Sequence, residues 1–182
     1  MLNSVLVSKS VAFALRDLFN ANKTYINTYL QQQGYIRSDG SGKPVQLAEV
    51  YIGLNPDQKK IQVYPSISLF VTGRRPEWYH YRATNDLIDV RMFCCIQNTS
   101  YQQCETLMYD FTEICMSVLF SAPTLPFNLY QDNTQGVPAV FEQRFNNSLP
   151  SITFGSLAGD YIRAGQLDWS GEVLLNHPDM TF

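Results

Sequence analysis

Few side chains in this sequence are suited to nucleophilic or acid–base chemistry. There are two histidines, His80 and His177, and four cysteines, Cys94, Cys95, Cys104 and Cys115. A Cys–His pair works when the imidazole lies within hydrogen-bond reach of the thiol and takes its proton. Cys94 or Cys95 with His80 across a hairpin meets that need formally, but no motif fixes the spacing. The chain carries no Gly-x-Ser-x-Gly elbow, phosphate loop, Gly-x-Gly-x-x-Gly or His-Glu-x-x-His. Asp86 and Asp89 are an odd number of residues apart, so on a strand they face opposite ways and make no acid–base pair. They are expected to be solvated or paired with Arg82 and Arg91. Metal binding fares no better, because no Cys-x-x-Cys spacing occurs and adjacent strand residues such as Cys94 and Cys95 point apart. Cys104 and Cys115 fall on one helical stripe and read as small core hydrophobes in a reducing compartment. The expectation is no catalytic residue, no cofactor and no metal.

The charged residues with a distinctive setting are arginines and lysines at presumed turns. Arg74 and Arg75 lie in GRRPEW (73–78), which reads as a turn projecting from a sheet, where arginines can meet phosphate or a partner's carboxylates. Lys59 and Lys60 form a similar tip in NPDQKK (55–60). Trp78, Tyr79 and Tyr81 pack either across a subunit boundary or into the sheet. Arg74, Arg75, Lys59, Lys60, Trp78 and Tyr79 are therefore the candidate interface residues.

Composition frames these candidates. A chain of 182 residues suits one domain and can bury roughly 70% of its unfolded surface without disulfides or metal. Charged residues make up only 16%, against about 25% in ordinary proteins, whereas Tyr and Phe number eleven each. A low-charge, Tyr-rich surface favours protein–protein contact. The net charge of −3 argues against bulk attraction to nucleic acid. Residues 1–91 hold eleven Lys/Arg and seven Asp/Glu, while residues 92–182 hold two and nine, so the halves carry opposite sign. No secretory signal and no uninterrupted apolar run long enough to span a membrane is evident.

The elements that must position these residues are predicted from periodicity. Apolar residues at Val11, Ala14, Leu15, Leu18, Tyr25, Ile26, Tyr29 and Leu30 keep a helical period, so one long helix is expected over 8–33, capped by Ser8 or Ser10 and ended at Gly34. Strands are expected at 45–54, 61–72 and 79–96, the last two as an antiparallel pair, with Pro65 marking a bulge or an edge. Ser100 and Gln103 have the capping-box pattern ahead of a second helix whose stripe is Cys104, Leu107, Met108, Phe111, Cys115, Val118 and Leu119. Residues 122–150 show little periodicity and read as a long irregular segment, either a functional loop or an irregular strand pair. Strands at 151–154 and 161–175 follow. The fold class is α+β, one domain over 1–182, with a long N-terminal helix and a second helix packed on an antiparallel sheet.

Taken in order, the N-terminal helix, VYPSISLFVTG (63–73), DLIDVRMFCCIQ (86–97), the helix SYQQCETLMYDFTEICMSVLF (100–120) and RAGQLDWSGEV (163–173) resemble the tail terminator and tail-completion proteins of tailed bacteriophages. The likeness covers most of the chain as an order of elements and rests on no invariant motif. It implies a virion protein at the tail–neck junction, made in the host cytoplasm. It implies a homo-oligomeric ring, hexameric in that family, that caps the tail tube and presents a surface to the neck. Partners would be copies of itself, the tail tube protein, a neck or connector protein and, in a sheathed tail, the sheath protein. DNA would only pass through the lumen, and no membrane is involved. Arg74 and Arg75 would then concentrate positive charge near the axis, and reversing both to Glu would leave folding intact but impair docking. The alternatives are a neck or head–tail connector protein, and a small ligand-binding or hydrolase domain that would fail on changing His80 or Cys95. A plain cytoplasmic adaptor domain is a further reading.

Overall fold

The computed structural model describes residues 4–53, 63–80, 83–98, 100–131, 134–145, 153–157 and 162–176. Two helices open it, α1 (Ser4–Ala21) and α2 (Lys23–Gln32). The unbroken apolar period had predicted a single helix, but Asn22 breaks it, with its backbone N–H and side-chain amide both donating to the Leu18 carbonyl. Val11, Leu15, Ile26 and Leu30 are fully buried as the period requires, whereas Tyr25 faces solvent. The expected caps, Ser8 and Ser10, lie inside α1 rather than at its start.

The strands are β1 (Glu49–Ile52), β2 (Ser66–His80), β3 (Ala83–Gln97), β4 (Thr124–Gln131), β5 (Thr134–Arg144), β6 (Thr153–Leu157) and β7 (Ile162–Asn176), with α3 (Tyr101–Ser121) between β3 and β4. All seven join one sheet in the order β1-β2-β3-β7-β5-β4, and β6 pairs with β7 beside β5. The fold is α+β and the sheet mostly antiparallel; the exception is β1, which runs parallel to β2. The backbone of β2, β3 and β7 forms a continuous antiparallel ribbon of three 15-residue strands.

β4 and β5 pair antiparallel, so of the two readings of the 122–150 segment the strand pair is the one observed over its described residues. Its alternation is hard to read because Pro126 and Pro138 sit within it, opposite Val140 and Asn128. Pro126 is tolerated because β4 is an edge strand that need not donate along its outer side, and Pro138 precedes the stretch of β5, Phe141–Arg144, that pairs with β7. The helix predicted from 100 ends where APTLP stops it, with Ser100 at the N-cap. The capping box does not form: the Ser100 side chain makes no cap bond, and Asn98 Oδ1 instead accepts from the Ser100 N–H at 3.0 Å.

One face of the sheet carries the core. Ile67 and Leu69 of β2, Ile88, Val90, Met92 and Cys94 of β3, and Leu167 and Val173 of β7 pack beneath Val11, Leu15 and Phe19 of α1 and Leu107, Met108 and Phe111 of α3. The sheet curls so that α1 touches β1 and β2 on one side and β4 on the other, while α3 lies over β3 and β7. A buried polar tie holds the closing strands: Trp169 Nε1 donates to Gln143 Oε1 at 3.0 Å, and Gln143 Nε2 donates to the Ala122 carbonyl at 2.6 Å. The opposite face has only a small apolar cluster, Cys95 and Ala164 with Tyr51, Tyr64 and Phe93.

Candidate functional site

The turn expected at 73–78 does not exist. Arg74 and Arg75 lie within β2, which continues to His80. The glycine that suggested a turn belongs instead to a bulge, and Pro76 sits in regular register opposite Asp86: Thr72 and Gly73 together oppose Asp89 of β3, and pairing then resumes with Arg74 opposite Ile88. Inward residues before the bulge are Ile67, Leu69 and Val71; after it they are Arg74 and Pro76. The phase change turns Arg74 onto the helix-covered face and Arg75 onto the open one.

Both guanidinium groups are paired. Arg74 Nε donates to Asp86 Oδ2 at 2.6 Å, and its terminal nitrogen also reaches that oxygen. Asp86 is fully buried and, among the described residues, its Oδ1 has no hydrogen-bond partner and Arg74 is the cation that compensates its charge. Arg75 pairs with Asp89 at 3.1 Å on the open face, where the arginine is 63% exposed. The two aspartates do face opposite ways as the spacing required, but their partners are Arg74 and Arg75. Arg91 pairs with Asp168 at 2.7 Å, and Arg82 lies outside the described residues. Arg74 and Arg75 are thus neutralised strand residues, and the picture of a projecting basic tip is corrected.

Lys59 and Lys60 lie outside the described residues. Trp78 and Tyr79 fall near the tip of the β2–β3 hairpin, with Trp78 opposite Thr84. His80 stands opposite Ala83 at that tip, and Cys95 stands opposite Ser66 at the far end of the hairpin. The strand length therefore keeps His80 away from both Cys94 and Cys95, and the formal Cys–His pair is not assembled. All four cysteines are buried and none forms a disulfide. Burial, and then the neighbouring Cys115 thiol, push Cys94 well above the ordinary thiol range, which suits packing rather than nucleophilic attack. Cys94 and Cys95 do face opposite sides, one in the main core and one in the small outer cluster. No group of three or more metal-capable side chains occurs among the described residues. None of the described helices is long and apolar enough to cross a membrane.

Two surfaces remain as candidates for contact. A groove of about 660 Å³ runs between α1 and β1–β2, lined by Ser8, Lys9, Ala12, Leu69, Val71 and Arg74 among others. The second is a tyrosine-bearing face on α2 and α3. Tyr35 Oη donates to Asp110 Oδ2 at 2.5 Å; burial first, then that bond and the Asp110 charge, raise the Tyr35 hydroxyl well above the ordinary phenol range. Tyr29 is raised in the same direction by burial, Asp110, Glu113 and Tyr25. The helical period places Tyr25 and Tyr29 on the core stripe; Tyr29 does pack partly buried against the core, whereas Tyr25 faces solvent, because a tyrosine at a stripe boundary satisfies the period without full burial.

No family model matches this chain, and no curated protein matches it in sequence.

Proposed function

We propose that this chain is a structural virion protein, a tail terminator whose copies close into a ring, six in the expected arrangement, that caps the tail tube and joins it to the neck. It acts by binding, not catalysis. The order of elements that carries the resemblance supports this reading, and the sheet's unlike ends support it most. At one end lies β1, four residues long and parallel to its neighbour; at the other lies β4, eight residues long and antiparallel. A protomer with two different edges can meet each neighbour through a different surface, and such heterologous contacts close into a ring when the rotation permits. A ring whose two faces differ ends tube growth, because it leaves no copy of the growing surface exposed. Tube protein and neck or connector protein are then the partners, with sheath an additional one in a contractile tail. DNA passes only through the lumen.

The mass of the purified protein in solution, with negative-stain imaging of the same sample, tests this. Annular particles of about six copies are expected, together with binding to tail tubes on mixing. A monomer that stays monomeric on tail tubes would sink the proposal, and rings that bind the portal side but ignore tubes would make the chain a connector.

A further inference from the structure

We propose that the tyrosine-bearing face of α2 and α3 is a docking surface for a protein partner that presents arginine. The proposal does not depend on ring formation. The face is built from Tyr25, Tyr29 and Tyr35 on one side and Tyr109, Asp110 and Glu113 on the other. Tyr25 and Tyr109 are 56% and 51% exposed, one on α2 and one on α3. Both stand on helices, so their rings offer contact area without the cost of ordering a loop. Tyr29 lies within the fields of Asp110, Glu113 and Tyr25, and Tyr35 is anchored to Asp110, so these three rings and two carboxylates form one patch, and Tyr109 stands one helical turn before Glu113 on α3.

The charge of the patch selects its partner. α3 contains no Lys or Arg, and α2 contains only Lys23, whose ammonium donates to the Ala48 carbonyl at 2.9 Å. Glu105, on the same helix, is matched by Arg163 at 2.9 Å. Asp110 and Glu113 have no cationic partner among the described residues. An apolar partner would strip water from these carboxylates and return nothing. Nucleic acid and an anionic membrane surface would both be repelled. Arginine fits on both counts, because its planar guanidinium stacks on tyrosine rings while its N–H groups meet carboxylate oxygens.

The test uses a fluorescently labelled, capped peptide of alternating glycine and arginine, titrated at low ionic strength, with the glutamate version as its counterpart. Saturable binding of the arginine peptide is expected and none of the glutamate peptide. Glu113→Lys, or Tyr25→Ala combined with Tyr109→Ala, should weaken binding roughly tenfold, whereas Tyr25→Phe should retain it. Glu77→Lys, which removes an exposed acid on β2, should have no effect. Circular dichroism confirms that each variant is folded; these side chains are exposed, so folding should be unchanged. The proposal is overturned if the wild-type protein fails to bind the peptide, if the patch variants bind as well as wild type, or if Glu77→Lys weakens binding as much as they do.

Discussion

The two faces of the β2–β3–β7 ribbon use the same backbone for different purposes. On the inner face, Val90, Met92 and Leu167 are closed off from water beneath two helices, and the buried Asp86 is paired with Arg74. On the outer face the same strands carry a ladder of ion pairs. Arg75 meets Asp89, Arg91 meets Asp168, Gln166 donates to Asp168 at 2.6 Å, and Asn85 and Arg144 share Glu172. Phe70 against Phe93, edge to face at 5.7 Å, the cluster around Cys95, and the side chains Leu87 and Leu174 interrupt it. An ion pair in the dry face and one in the wet face thus look alike in a contact map yet differ in what holds them. Solvent can take over from a lost partner on one side and not on the other.

The difference can be broken by removing one arginine at a time. Arg74→Ala leaves the buried Asp86 charge without its cation and should cost about 3–5 kcal/mol. Arg74→Glu adds a second carboxylate and should prevent folding, so reversing both arginines would test stability before it tested docking. Arg75→Ala should cost less than about 1 kcal/mol, because its partner is solvated. Urea unfolding of the single variants decides between these, and equal costs would mean the two faces are not distinct.

Glycine replacements sharpen the same contrast. A Cβ on Gly165, on the inner face, would lie 2.2 Å from Thr112 Oγ1 of α3, while one on Gly73, on the outer face, would lie 2.8 Å from Asp89 Oδ2. The first contact is fixed by helix packing and the second is the far end of an exposed chain that can swing away. Gly165→Ala should therefore destabilise by about 1–3 kcal/mol and be partly rescued by Thr112→Ala, while Gly73→Ala should cost less. Thermal melts of the four proteins check this. Arg91→Ala, at the cross-strand pair with Asp168, should lower stability by about 0.2–1 kcal/mol and the loss should shrink in high salt.

A further contrast concerns pH. Tyr35 resists ionisation when folded, through burial and then Asp110, so its folded value lies above the ordinary phenol value of 10.0. Below that value both states are protonated and the contribution is complete. Above it the unfolded chain ionises first, so stability falls as pH rises. Tyr35→Phe should flatten that alkaline slope while costing about 1 kcal/mol at neutral pH through the lost bond to Asp110. Parallel slopes for the two proteins would contradict this.

Much of the helix layer was legible in the sequence because burial there is set by a period of 3.6. Every residue of the α3 stripe from Cys104 to Leu119 is buried as expected. Strand phase was less legible. Alternation predicts facing only while strand and partner advance together, and at Thr72 they do not. The Arg74–Asp86 pair was invisible for that reason, and a charge was instead assigned to the arginine nearest in sequence. The β4–β5 hairpin was obscured because its prolines mimic loop composition. The tyrosine face was missed because an amphipathic ring at a stripe boundary fits both core and surface.

The bulge at Thr72 has a consequence for aim. It adds a residue to β2 without changing which residues pair on either side, so deleting Thr72 would preserve the contacts of Arg74 with Asp86 and straighten the strand. What would change is direction. The stretch from Gly73 to His80 is a lever roughly 25 Å long pivoting at that residue. A deletion that is nearly silent in stability would swing the end of the hairpin to a new position, separating where the strand points from how it is held.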